Sequence, residues 1–140
     1  MKDVLIEIKG SQEYENGLND ESSFATNGCF ESKDSIIKIL YNESEMIGAT
    51  NVKSEIIVED NSRVILTRTG DVNTRMVIEE GKRHSCFYST PQGDFTIGIY
   101  GEKFSSFFDE NGGNIFLSYT IDVNSGLLSK NVMEIKIKEL

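Results

Sequence analysis

The stretch EEGKRHSCFYSTPQGDFTIGIYG, residues 79–101, holds two runs of alternating side chains on either side of the chain's only proline. Alternation with a period of two is typical of β-strands, and the segment TPQG between the runs is typical of a tight turn. A hairpin that turns at Pro91 and Gln92 gives the pairs Tyr88–Phe95, Cys86–Ile97 and His84–Ile99. The stretch therefore predicts a β-hairpin rather than an active-site loop.

The same pairing predicts which side chains of this hairpin share a face. Cross-strand partners lie on one face of a sheet. His84, Cys86 and Tyr88 are therefore expected to face inward beside apolar residues, with Phe87 and Tyr100 outward. A three-residue loop would invert the two faces.

Alternation of this kind recurs along nearly the whole chain. The candidate strands are 3–9, 22–31, 35–41, 54–59, 63–69, 73–79, 84–90, 95–100, 104–110, 114–124 and 131–138. The segments between them are short and rich in turn residues, GEKFSS among them, whereas the polar run 12–23 is expected to form an exposed loop or a wide hairpin end. Short connections favour antiparallel pairing of successive strands, and so long a meander must close into a barrel or fold into a sandwich. We expect an all-β, antiparallel, up-and-down β-barrel of about eight or more strands.

Composition limits both the architecture and the partners. The 140 residues suit a single domain, 1–140, and the net charge of −9 disfavours nucleic acid and anionic membrane surfaces. Residues 1–10 alternate apolar with charged side chains, unlike a signal peptide, so we expect a cytoplasmic protein with two free cysteines. One histidine and no zinc-binding pattern predict neither a metal nor a cofactor.

Several short motifs carry a resemblance to a known family. They are RTG at 68–70, Met76 and Gly81, YSTPQG at 88–93 and GGNIFLSYTIDVN at 112–124. As a set they resemble the YwiB-like family of small bacterial proteins of unknown function, over the chain from about Tyr41 onward. The resemblance implies a calycin-like barrel, similar to lipocalins, and it implies no activity and no site residues.

A ligand site inside the barrel is the functional hypothesis that the face assignments favour. The strand at 63–69 places Val64, Leu66 and Arg68 on one face, and a guanidinium there needs a carboxylate, a carbonyl, water or a ligand anion. The inward polar candidates are Arg68, His84, Tyr88, Tyr119 and Tyr41. They would suit a small, partly apolar, anionic molecule, with Arg68 as the charge anchor. The alternative is that Arg68 pairs with a protein carboxylate and the tyrosines only pack.

Two other functions compete with this hypothesis. In the first, side chains fill the barrel, and outward Phe87, Tyr100 and Phe107 form an apolar patch beside an open edge strand that supports a homodimer. In the second, a hydrolase or isomerase would use His84 and Cys86, but residues two apart on a strand stand about 6 to 7 Å apart. No orienting third group or oxyanion hole is evident, so a non-enzymatic protein is expected.

Overall fold

The computed structural model describes residues 1–42, 52–60, 62–70, 73–90, 93–123 and 126–140, without the side chains of 88–90, 95 and 127. The described residues form strands joined by turns. The strands are β1 (Lys2–Tyr14), β2 (Asn19–Lys33), β3 (Ile36–Asn42), β4 (Val52–Glu59), β5 (Arg63–Gly70), β6 (Asn73–Glu79), β7 (Arg83–Thr90), β8 (Gly93–Asp109), β9 (Gly112–Val123) and β10 (Gly126–Glu139).

These ten strands form one closed barrel in which each strand pairs antiparallel with its neighbours in sequence, and β10 pairs with β1. The expected up-and-down antiparallel barrel is confirmed. The β7–β8 register, with His84 opposite Ile99 and Cys86 opposite Ile97, is also the one that the hairpin pattern predicts. The turn itself, Pro91 and Gln92, lies outside the described residues.

The prediction of separate strands at 95–100 and 104–110 is wrong, because both belong to β8. The glycine of GEKFSS, Gly101, lies at a register shift between Gly101 and Lys103 rather than in a turn. Such a bulge interrupts the alternation of faces while the strand continues. An interrupted pattern and a chain reversal look alike in the sequence.

The polar run 12–23 is the end of the β1–β2 hairpin. Pairing continues through Gln12 opposite Asp20 and Glu13 opposite Asn19, well beyond the last apolar residue of the candidate strands. Backbone hydrogen bonds extend a ladder without apolar side chains, so the polar composition hid the strand. Of the two alternatives for this run, the structure shows the wide hairpin end.

Toward the end where β2 runs into β3, apolar side chains pack the barrel interior beneath a surface depression that Phe30 and Phe108 border. The rings of Phe30 and Phe108 stack there, with centroids 5.8 Å apart. The largest fully buried side chains are Ile6, Ile39, Ile78, Ile99, Ile115, Leu117 and Ile135, with Val4, Val52, Val58 and Val64.

The outer surface carries the exposed aromatic residues that the sequence placed there. Phe87, Tyr100 and Phe107 are 61%, 41% and 64% exposed. Phe87 lies opposite Thr96 of β8, and Tyr100 and Phe107 lie on β8 itself. The three residues are therefore spread along this strand from position 96 to position 107, at about 3.3 Å per residue. The expectation that they flank an open edge strand is wrong, because the described strands close into a ring and each has a partner on both sides.

Candidate functional site

The end of the barrel where β1 runs into β2 is hollow. A cavity of about 480 Å³ opens there, between the late residues of β1 and the early residues of β2. Its apolar walls are Ile8, Phe24, Ile56, Leu66, Met76 and Met133. Among the predicted site residues, Tyr41, Arg68 and Tyr119 line this cavity. The barrel is thus filled at one end and open at the other.

One wall of the cavity is a row of polar side chains across four adjacent strands. In the register, Tyr41 stands opposite Ser54, Ser54 opposite Arg68 and Arg68 opposite Thr74. Directly opposed residues have Cβ atoms about 4.5–5.5 Å apart, so the half-buried Arg68 has a hydroxyl group on each side. Ser54 and Thr74 are 4% and 5% exposed, and neither hydroxyl has a hydrogen-bond partner among the described residues.

The facing wall comes from β9 and β10. Asn131 is 3% exposed and pairs in register with Tyr119. Its Nδ2 donates to Ser129 Oγ at 3.1 Å and to the backbone carbonyl of Tyr119 at 3.5 Å, whereas its Oδ1 has no partner among the described residues. Burial raises the pKa of Tyr119 to about 12, so its phenol stays neutral at physiological pH.

His84 does not reach this cavity. It lies at the start of β7, near the β6–β7 turn at the filled end, where its Nε2 is 3.0 Å from Glu79 Oε1. The hydrogen bond from His84 is the main cause of a lowered pKa at Glu79, and Lys82 Nζ contributes from 3.3 Å. His84 lies on the expected face of β7. It is, however, about four residues along the strand from the row that contains Arg68, and so it cannot belong to the same site.

For Tyr88 the structure describes only the position of the backbone. It pairs with Thr74 across the β6–β7 ladder and with Phe95 in β8, in line with the polar row. Its side chain lies outside the described residues. Its role as a ligand contact therefore stays a prediction.

The cysteines lie on opposite faces of the barrel wall. Cys86 is 2% exposed, and burial raises the pKa of its thiol, which makes it a poor nucleophile. Cys29 is on the outer side, with its Sγ 3.9 Å from Asp3 Oδ1. Within the described part of the chain, no three His, Cys, Asp or Glu side chains lie close enough to hold a metal ion. The same residues include no helix of the length and apolarity needed to cross a membrane.

Sequence reasoning missed three members of the site: Ser54, Thr74 and Asn131. Ser54 and Thr74 could have been found, because the short connections that the sequence predicts on either side of β5 set a register that places both residues beside an inward Arg68. Asn131 shares the parity of Met133, Ile135 and Ile137, whose apolar alternation indicates the inward face. The alternation of faces therefore contained the information needed, and a search limited to charged or aromatic residues missed these three.

Comparisons with known proteins agree with this fold. The chain is similar to the YwiB protein from Bacillus subtilis, whose crystal structure superposes with a TM-score of 0.86 over 99% of this chain and 92% of that one at 20% identity. That likeness shows the fold and confirms the calycin-like barrel expected from the resemblance. No curated protein matches the sequence. The family described as "Domain of unknown function (DUF1934)" matches residues 6–135. The chain therefore belongs to the DUF1934 family, and its YwiB-like resemblance is confirmed.

Proposed function

We propose that this protein is a non-enzymatic binding protein that holds a small, partly apolar anion in the hollow end of its barrel. One observation carries the proposal. The side-chain atoms Ser54 Oγ, Thr74 Oγ1 and Asn131 Oδ1, which are buried without a partner among the described residues, all belong to residues that line the same cavity. The cavity lining also includes Arg68, Tyr41 and Tyr119, so several polar side chains converge on one space.

The volume and the lining of the cavity suit a small-molecule occupant. Cavities of about 300–1,000 Å³ with mostly apolar walls and a few convergent polar groups are typical of small-molecule sites. The cavity here has this volume and this kind of wall.

The row on β4, β5 and β6 favours a negatively charged group on the ligand. The guanidinium of Arg68, which belongs to the cavity lining, only donates hydrogen bonds. Hydrogen bonds from a guanidinium to a carboxylate are about twice as strong as neutral ones. The apolar walls then accommodate the rest of the molecule.

Isothermal titration with decanoate, a simple apolar anion, tests the proposal. Replacing Arg68 by methionine keeps most of the side-chain volume and removes the charge. We expect decanoate to bind the Arg68→Met variant at least about tenfold more weakly than the wild type, which corresponds to about 1.4 kcal/mol.

Arg75 provides the matched control for this titration. It lies on the neighbouring strand β6 with its side chain exposed, outside the cavity lining. The Arg75→Met variant should bind decanoate as the wild type does. Equal weakening in both variants, or none in Arg68→Met, would contradict an anion anchor at Arg68.

A further inference from the structure

The cavity has a closed floor inside the barrel. On β5, Arg68 and Leu66 line the cavity, whereas the next inward side chain, Val64, is 0% exposed and lies outside the lining. The cavity ends in the same way on β1, β4, β6 and β10. There the first inward side chains below the lining, each at most 1% exposed, are Ile6, Val58, Ile78 and Ile135. A ligand therefore cannot extend down the barrel past this level.

Arg68 lies close to this floor. Along β5 it is only two residues from Leu66, which is about 7 Å at about 3.3 Å per residue. In the register, Ile56 and Met76 stand on either side of Leu66 and complete the layer. An acid group at Arg68 thus has a single layer of apolar side chains beneath it. The apolar part of the ligand must extend across the barrel rather than down it.

The space across the barrel is bounded as well. The apolar side chains of Ile8 and Met133 lie on β1 and β10, which are four and five strands away from β5 in the ring. Toward the mouth, the inward side chains of the lining on β1 and β2 become polar, and they include Gln12, Ser22 and Asp20. Methylene groups that reach this rim leave the apolar surface and gain little from burial.

The volume of the cavity gives an approximate length for the ligand. A sphere of about 480 Å³ is about 10 Å across, and this volume is typical of small-molecule sites. With carbon–carbon bonds of about 1.5 Å, an extended chain of ten carbons is about 11 Å long and one of fourteen carbons is about 16 Å long. The shorter chain matches the width of the cavity, and the longer one exceeds it.

We propose that the cavity selects acids by length, that it accepts chains of up to about ten carbons, and that Met76 in the floor sets this limit. The inference rests on the proposed function and specifies its ligand as a medium-length carboxylic acid rather than a long-chain one. Met76 follows Thr74 as the next inward residue of β6 and is half-buried at the bottom of the lining. Its unbranched, flexible side chain is of the kind that fills irregular gaps.

Four acids of increasing length test the limit on the wild-type protein: octanoate, decanoate, dodecanoate and tetradecanoate. By isothermal titration, we expect decanoate to bind about tenfold more tightly than octanoate, because two more methylene groups are buried. Dodecanoate and tetradecanoate should gain less than about twofold over decanoate. A gain of about tenfold at every step would overturn the inference, and decanoate binding that depends on Arg68 would leave the proposed function standing.

The variant Met76→Ala then assigns the limit to the residue. It lowers the floor, so dodecanoate should bind this variant about tenfold more tightly than decanoate does. The control variant Met76→Leu keeps the side-chain volume and should keep the wild-type limit. A limit that stays at decanoate in Met76→Ala, or that moves equally in Met76→Leu, would overturn the inference. Binding of none of the four acids to the wild type would overturn both proposals.

Discussion

Replacement of Leu117 by alanine is expected to lower the free energy of unfolding by about 3–4 kcal/mol. Leu117 is 0% exposed in the middle of β9 and belongs to the apolar core of the barrel, outside the lining of the cavity. Truncation there removes buried apolar surface and leaves a cavity that a rigid, hydrogen-bonded wall cannot close. Urea denaturation followed by circular dichroism measures the loss.

Leu66 provides the matched control, since the same substitution can be made at the hollow end. It is half-buried and already borders open space in the cavity. Leu66→Ala should cost only about 1 kcal/mol, because it removes less packing and creates no new enclosed void. Equal losses at the two positions would contradict a barrel that is filled at one end and hollow at the other.

The second large effect is expected at Gly101, the bulge residue of β8. The β6–β7 turn packs directly onto it, with Gly81 N–H donating to the Gly101 carbonyl at 2.8 Å and Gly101 N–H donating to the Lys82 carbonyl at 3.2 Å. A Cβ atom at Gly101 would overlap the backbone carbonyl group of Glu79. Because backbone cannot rotate away as a side chain can, Gly101→Ala should destabilise the fold by about 2–4 kcal/mol.

Gly10 in β1 is the control for this substitution. A Cβ atom there would meet only Ser22 Oγ at 3.5 Å and the Val132 carbonyl oxygen at 3.8 Å, which are ordinary contacts. Gly10→Ala should be neutral or slightly stabilising, since alanine loses less conformational freedom on folding than glycine does. Thermal unfolding of both variants measures their stabilities. A Gly101→Ala protein as stable as Gly10→Ala would contradict the close packing of the β6–β7 turn on Gly101.

Much of the barrel could be predicted from the sequence, because the period of two is a local property that each strand carries by itself. The hairpin at 79–101 shows this most clearly, since the register that its pattern predicts is the one that β7 and β8 have. The merging of 95–100 and 104–110 into β8 could not be predicted. Whether a glycine begins a turn or a bulge depends on what docks against it, and here that is a turn about twenty residues earlier in the chain.

The candidate site was predictable to the extent that it depends on faces. Arg68, Tyr119 and Tyr41 were correctly assigned to the interior and line the cavity. His84 has the same facing and lies at the other end, because alternation assigns a face but not a height along the barrel. The position of a residue along the barrel axis depends on the register between every pair of neighbouring strands, including the pair β1–β10 that closes the ring.

Native mass spectrometry of the freshly purified protein, compared with the same sample denatured, tests the central claim most directly. The chain alone has a mass of 15.7 kDa. A hollow barrel that holds a small anion predicts a discrete additional mass in the native spectrum, lost on denaturation and reduced in Arg68→Met but not in Arg75→Met. Native and denatured spectra that both show only the bare chain would contradict the claim that the cavity binds a ligand.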